Sequence, residues 1–269
     1  MARKKIKAKD LKKQRWAAII AGVLAVGMLA SLGGVYLAQS MGNSTPSLPG
    51  QANDPQPEDY LAYYKAEVER LETYLQEHEP TVPVLMELAE NYRYLTFIQQ
   101  VFFDDDDETL QDYQIKLASV YQSLIDLEPD KPEYRLELIY LYLESGGDLQ
   151  PAYDQVTLLR QQLRENPDPL VHLSLVGILN SAGEKELLED DLDWLYGYLD
   201  EKVTSDTASN EERFYYAVLL GEYLDDQATA ETVLLDIMEQ ENEESQIYQE
   251  AMNYLNYLSG DSASIESGE

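Results

Sequence analysis

The sequence predicts an all-α protein: an N-terminal transmembrane helix, a flexible linker, then an α-α solenoid of helix pairs. Three observations predict it. Residues 16–38, WAAIIAGVLAVGMLASLGGVYLA, run for 23 residues without a charge. From Glu58 onward apolar residues recur with helical period, and no alternating run of strand length interrupts them. The same apolar spacings return four times between Leu88 and Ile237, as expected of stacked units.

The apolar stretch comes first. At about 1.5 Å per residue a helix of this length spans about 34 Å, enough for a hydrocarbon core of about 30 Å. Eight basic residues precede it (Arg3, Lys4, Lys5, Lys7, Lys9, Lys12, Lys13 and Arg15) against the single acid Asp10, leaving +7 on residues 1–15. No charge follows until Asp54. The positive-inside rule then places this basic head in the cytoplasm and the rest of the chain on the extracytoplasmic side of a bacterial membrane, as a single-pass protein. A cleaved secretory signal is the rival reading, with Ala38-Gln39-Ser40 as its cleavage site. Signal cores run about 7–15 residues, which favours the uncleaved anchor. Ala18 with Gly22 and Ala30 with Gly34 place small residues one turn apart, a spacing that lets two membrane helices pack closely.

Residues 39–57 form the linker. Pro46, Pro49, Pro55 and Pro57 oppose helix, and the residues between them supply no apolar face. In the next segment Tyr64, Val68, Leu71 and Leu75 mark one face of a helix. Breaks are expected at Pro80–Pro83, Glu128–Pro132, Ser145–Gly147, Asn166–Pro169, Ala182–Gly183 and Thr204–Asn210, with a closing helix over Ser245–Leu258. One repeat domain is expected over residues 58–258, followed by a short acidic tail over 259–269 that composition marks as disordered.

Within that domain, the first helices of successive pairs share Leu88-Ala89-x2-Tyr92, Leu138-Ile139-x2-Tyr142, Leu175-Val176-x2-Leu179 and Leu219-Leu220-x2-Tyr223. The second helices share Leu117-x3-Tyr121-x2-Leu124, Ala152-x3-Val156-x2-Leu159, Leu188-x3-Leu192-x2-Leu195 and Ala230-x3-Leu234-x2-Ile237. This resembles the tetratricopeptide repeat, with the best match over Asp130–Pro167. The Trp of that pattern is missing, and its small Gly or Ala is retained only at Ala89. The landmark leucines are also spaced more widely than the family's repeat of about 34 residues. The extra residues of the first interval fall near QQVFFDDDDETLQ. Asp104–Asp107 read as a solvated acidic loop, with Asp107 or Thr109 capping the next helix, rather than as a calcium loop, whose ligands alternate.

Composition limits function. The formal charge is −32, so removing the +7 head leaves −39 on residues 16–269. Such a body repels nucleic acid and favours basic or cationic partners. There is no cysteine, which excludes disulfides and thiolate chemistry. His78 and His172 are the only histidines and belong to no metal-ligating spacing. No nucleophile elbow, P-loop or dinucleotide turn occurs. The expectation is therefore a non-enzymatic chain with no cofactor and no metal. Trp194 follows an apolar helical stripe and reads as core.

The resemblance implies a concave groove lined by the first helix of each pair. Aligning the pairs assigns Met86, Glu90 and Arg93, then Leu136, Tyr140 and Leu143, then Leu173, Gly177 and Asn180 to that inner face. It carries no cluster of basic residues of the kind chaperone-binding family members use to clamp a carboxylate. The plan resembles translocon-associated and cytochrome-maturation repeat proteins. It implies a membrane-anchored scaffold or chaperone-like adaptor for a basic or unfolded protein segment. The alternative is an accessory subunit of a membrane complex, held through its transmembrane helix.

Overall fold

The computed structural model describes residues 57–103, 107–145 and 148–259. The basic head, the apolar segment with Ala18, Gly22, Ala30 and Gly34, most of the linker, Asp104–Asp106 and the tail beyond Ser259 lie outside them. Among the described residues no helix is long and apolar enough to cross a membrane.

Ten helices follow one another among the described residues: α1 Pro57–Glu77, α2 Val82–Phe102, α3 Asp107–Leu127, α4 Pro132–Glu144, α5 Gln150–Glu165, α6 Pro169–Ala182, α7 Lys185–Thr204, α8 Asn210–Tyr223, α9 Gln227–Gln240 and α10 Gln246–Leu258. Every expected break coincides with a junction between two of these helices. The wide first interval has a simple cause. α2 and α3 are 21 residues each, whereas α4 and α5 have 13 and 16, so the extra residues lengthen helices rather than a loop. Asp107 is the first described residue of α3, and Thr109 lies two residues further on.

The described helices fall into two compact units, divided between Pro167 and Asp168. The division falls in Asn166-Pro167-Asp168-Pro169, where two prolines deny the chain helical continuation. The N-terminal unit holds α1–α5 and the C-terminal unit α6–α10.

Within each unit the repeated landmarks are the core. Leu88, Ala89, Tyr92, Leu117, Tyr121 and Leu124 pack together in the N-terminal unit. Val176, Leu195, Leu219, Leu220, Ala230, Leu234 and Ile237 do so in the C-terminal unit. Inside each unit consecutive helices pack on one another, and in the C-terminal unit α8 also packs on both α6 and α10. Gly221 permits the α8–α10 approach: a Cβ there would stand 2.5 Å from the Tyr254 hydroxyl of α10. Local signals mark the helix ends. Asp168, Ser209, Asp226 and Ser245 cap α6, α8, α9 and α10 through their side chains, and Gly183 closes α6 in the left-handed conformation at φ 77°.

Candidate protein-binding surface

The N-terminal unit carries an apolar ridge open to solvent. On α2, Met86, Glu90, Arg93, Phe97 and Val101 fall at i, i+4, i+7, i+11 and i+15, which is one face of a helix. The opposite face, from Leu85 through Leu88, Tyr92, Leu95 and Gln99, is buried. Met86 is 45% exposed, Phe97 49% and Val101 52%. Phe97 and Val101 are neighbours one turn apart, and Glu90 and Arg93 stand between them and Met86.

Arg93 is the cationic point of this face. Its guanidinium donates to Glu137 of α4 at 3.0 Å and to the Tyr121 hydroxyl of α3 at 3.4 Å. Burial opposes its charge, but Glu137, Tyr121 and Glu144 outweigh burial and hold it more firmly protonated than usual. Burial comes first for Glu144 as well and pushes its carboxyl upward, with Arg93 opposing and Glu137 reinforcing. Arg93 is thus tied to α4 and is not a free hand for an acidic ligand.

The other groove assignments divide between the units. Leu136, Tyr140 and Leu143 are half-buried on α4, and Asn180 is exposed near the end of α6. Leu173 and Gly177 are corrections. Leu173 is 6% exposed and packs in the C-terminal core, because α6 is buried continuously from Val171 to Leu179 and leaves no open inner face there. Phe97 and Val101 lie beyond the sequence-based assignment, which stops two turns after Met86; carrying the same spacing to the end of α2 finds both.

The histidines are ordinary residents. His78 is exposed, stacks on Tyr74 and donates from Nδ1 to the Tyr74 carbonyl at 3.0 Å. His172 is fully buried, with Nε2 3.2 Å from Asp191 Oδ1 and its ring stacked on Trp194. Trp194 is half-buried against the C-terminal core. Among the described residues no group of three His, Asp or Glu side chains is placed to hold a metal ion.

No family model and no curated protein matches this chain. Among solved structures it is similar to a thermophilic TPR protein from Thermus thermophilus, with 15% identity, 74% of this chain and 99% of that chain covered, and a TM-score of 0.35. A likeness at that level decides nothing about binding; the all-helical pairing and the open ridge are read from this chain's own residues.

Proposed function

We propose that this chain is a non-enzymatic scaffold that binds a protein partner on the α2 ridge of its N-terminal unit. Residues 16–38 would tether it to a bacterial membrane, with the helical units on the extracytoplasmic side. The observation that carries the reading is the alignment of Met86, Phe97 and Val101, each about half exposed, on one helix face. The tether rests on the 23 uncharged residues behind a +7 head.

A photo-reactive residue placed at Val101, and at Glu186 on α7 as reference, tests the surface in native membranes. Discrete adducts are expected at the ridge, lost in the Met86→Ser/Phe97→Ser double variant while its melting curve is unchanged. Identical adducts at the ridge and at Glu186 would sink the assignment. Retention in alkali-washed membranes, with protease reaching the helical units only from outside, is the expected outcome for the tether.

A further inference from the structure

The ridge reading leaves a group of residues on α1 and α2 unexplained. Tyr63 and Tyr64 of α1 and Tyr94 of α2 are in ring contact, Tyr60 and Glu90 are near enough to act on Tyr64, and Glu90 lies one turn before Tyr94 on α2. Tyr64 stacks on Tyr94 with ring centroids 4.5 Å apart at 14°, and Tyr63 meets Tyr64 edge-on at 5.2 Å and 77°. Tyr64 is the buried floor, whereas Tyr60, Tyr63 and Tyr94 are half exposed and Glu90 is exposed. Burial holds the Tyr64 phenol well above its ordinary range, and Tyr94, Tyr63, Glu90 and Tyr60 add to it, so the local field is negative.

Among the described residues no cation forms an ion pair with Glu90. Among the described residues the four hydroxyls and the Glu90 carboxylate have neither a hydrogen bond nor an ion pair. Arg93 is engaged by Glu137 at 3.0 Å, and Arg70 by Glu67 and Glu87 at 2.8 and 2.6 Å. Lys65 follows Tyr64 directly and so lies about 100° round α1 from it. Electron-rich ring faces with a carboxylate at their edge attract a positive charge, and attract it more as water is displaced.

We propose that Tyr60, Tyr63, Tyr94 and Glu90 receive one lysine or arginine side chain of the protein partner, while that residue's apolar neighbours lie on Met86 and Phe97. This rests on the ridge being the binding surface, since Met86, Glu90 and Phe97 share one face of α2. A phosphorylated or acidic segment is repelled here. A second copy of this chain is disfavoured by the formal charge of −32 on each molecule. The partner is therefore a segment with a single cation set among apolar side chains.

The test uses the full chain in detergent micelles and two probes: acetyl-Leu-Leu-Arg-Leu-Phe-amide and its twin with citrulline, the neutral isostere of arginine. Calorimetric titration is expected to show the arginine peptide binding about tenfold more tightly or better, the scale of a partly desolvated cation over aromatic rings. Glu90→Gln, at an exposed position, and Tyr94→Leu should each shrink that preference, and the two together should erase it. Phe97→Ser should weaken both peptides alike. Equal affinities of the two peptides for the native chain, or a preference undiminished in Glu90→Gln and in Tyr94→Leu, would overturn the cation site while leaving the ridge in place. Absence of binding by either peptide would overturn the cation site, and unchanged cross-linking in the ridge variants would then remove the surface too. Tetramethylammonium binding as tightly as the arginine peptide would assign the site to a free organic cation and overturn the peptide reading.

Discussion

The two units use the same helix pairing and are held together differently. In the C-terminal unit, α6 and α8 bury nearly every residue along their middles, Val171–Leu179 and Phe214–Leu220. Its helices α6, α8, α9 and α10 start on side-chain caps at Asp168, Ser209, Asp226 and Ser245. In the N-terminal unit, Thr81, Lys131 and Leu149 precede helices without a side-chain cap, and proline sets the first turn instead. Charges reach between its helices, Arg70 to Glu87, Arg93 to Glu137 and Arg135 to Gln162 and Gln155. Exposed large apolar side chains occur in both units, Met86, Phe97 and Val101 on α2 and Leu235 and Tyr257 on α9 and α10; what sets the α2 residues apart is that they share one helix face.

The largest expected effect erases the difference. Buried phenols occur in both units, and burial first, then neighbouring carboxylates, pushes Tyr134 and Tyr223 up to about 12 from an ordinary 10.0, with Tyr92, Tyr121, Tyr216 and Tyr254 higher still. A raised folded value means the neutral phenol favours the fold. The contribution is whole below pH 10 and is lost as pH rises beyond it, because the unfolded chain releases those protons first. Exposed tyrosines such as Tyr74 and Tyr257 ionise without unfolding, so the test is the remaining tyrosinate absorbance: it should rise together with the loss of helical circular dichroism, and full tyrosinate formation with the helix signal intact would refute this.

Phe214→Ala tests the C-terminal unit. Phe214 is 2% exposed and meets Tyr254 edge-to-face, so its truncation should cost about 3–5 kcal/mol in urea unfolding, the range for large aromatic deletions in a core. Gly221→Ala forces its new methyl onto the Tyr254 hydroxyl and disturbs the 3.1 Å bond from that hydroxyl to Glu222. A loss of about 1–3 kcal/mol follows from overpacking, and a neutral result would mean that α10 yields easily. Ser209→Ala removes one half of the capping box it forms with Glu212 and should cost about 1 kcal/mol. The smallest effect has the opposite sign. Gly197 lies within α7 with open space where its Cβ would be, so Gly197→Ala should stabilise by about 0.5–1 kcal/mol without touching ridge binding.

Periodicity made the architecture legible because each pair repeats one physical demand, a buried stripe on each helix. Leu138, Leu159, Leu175, Leu219 and Leu234 are all fully buried, as the recurring spacings require. Proline and glycine marked the breaks, since neither Pro167 nor Gly183 lets a helix run on. The split into two units was not legible: spacing between helices says nothing about where packing weakens. The ridge was half legible. Met86 and Glu90 follow from register, but Leu173 shares that register and is core, because burial of α6 on all sides depends on neighbours that its own pattern does not name. The tyrosine group around Glu90 needed coordinates, since Tyr64 and Tyr94 meet only across two helices.

The stacking around Trp194 has a practical side. The chain has two tryptophans, Trp16 in the uncharged segment and Trp194 in the C-terminal unit, while helices α1–α5 of the N-terminal unit have tyrosine but no tryptophan. With His172 on one side, its ring centroid at 4.9 Å, and Tyr198 on the other at 5.5 Å, the Trp194 indole sits among rings that must separate when this unit opens. In a Trp16→Phe background the molecule is thereby spectroscopically labelled by its own sequence. Indole emission reports one unit and tyrosine signals report both, so a urea titration read at the two wavelengths reveals whether the halves melt as one body or in turn.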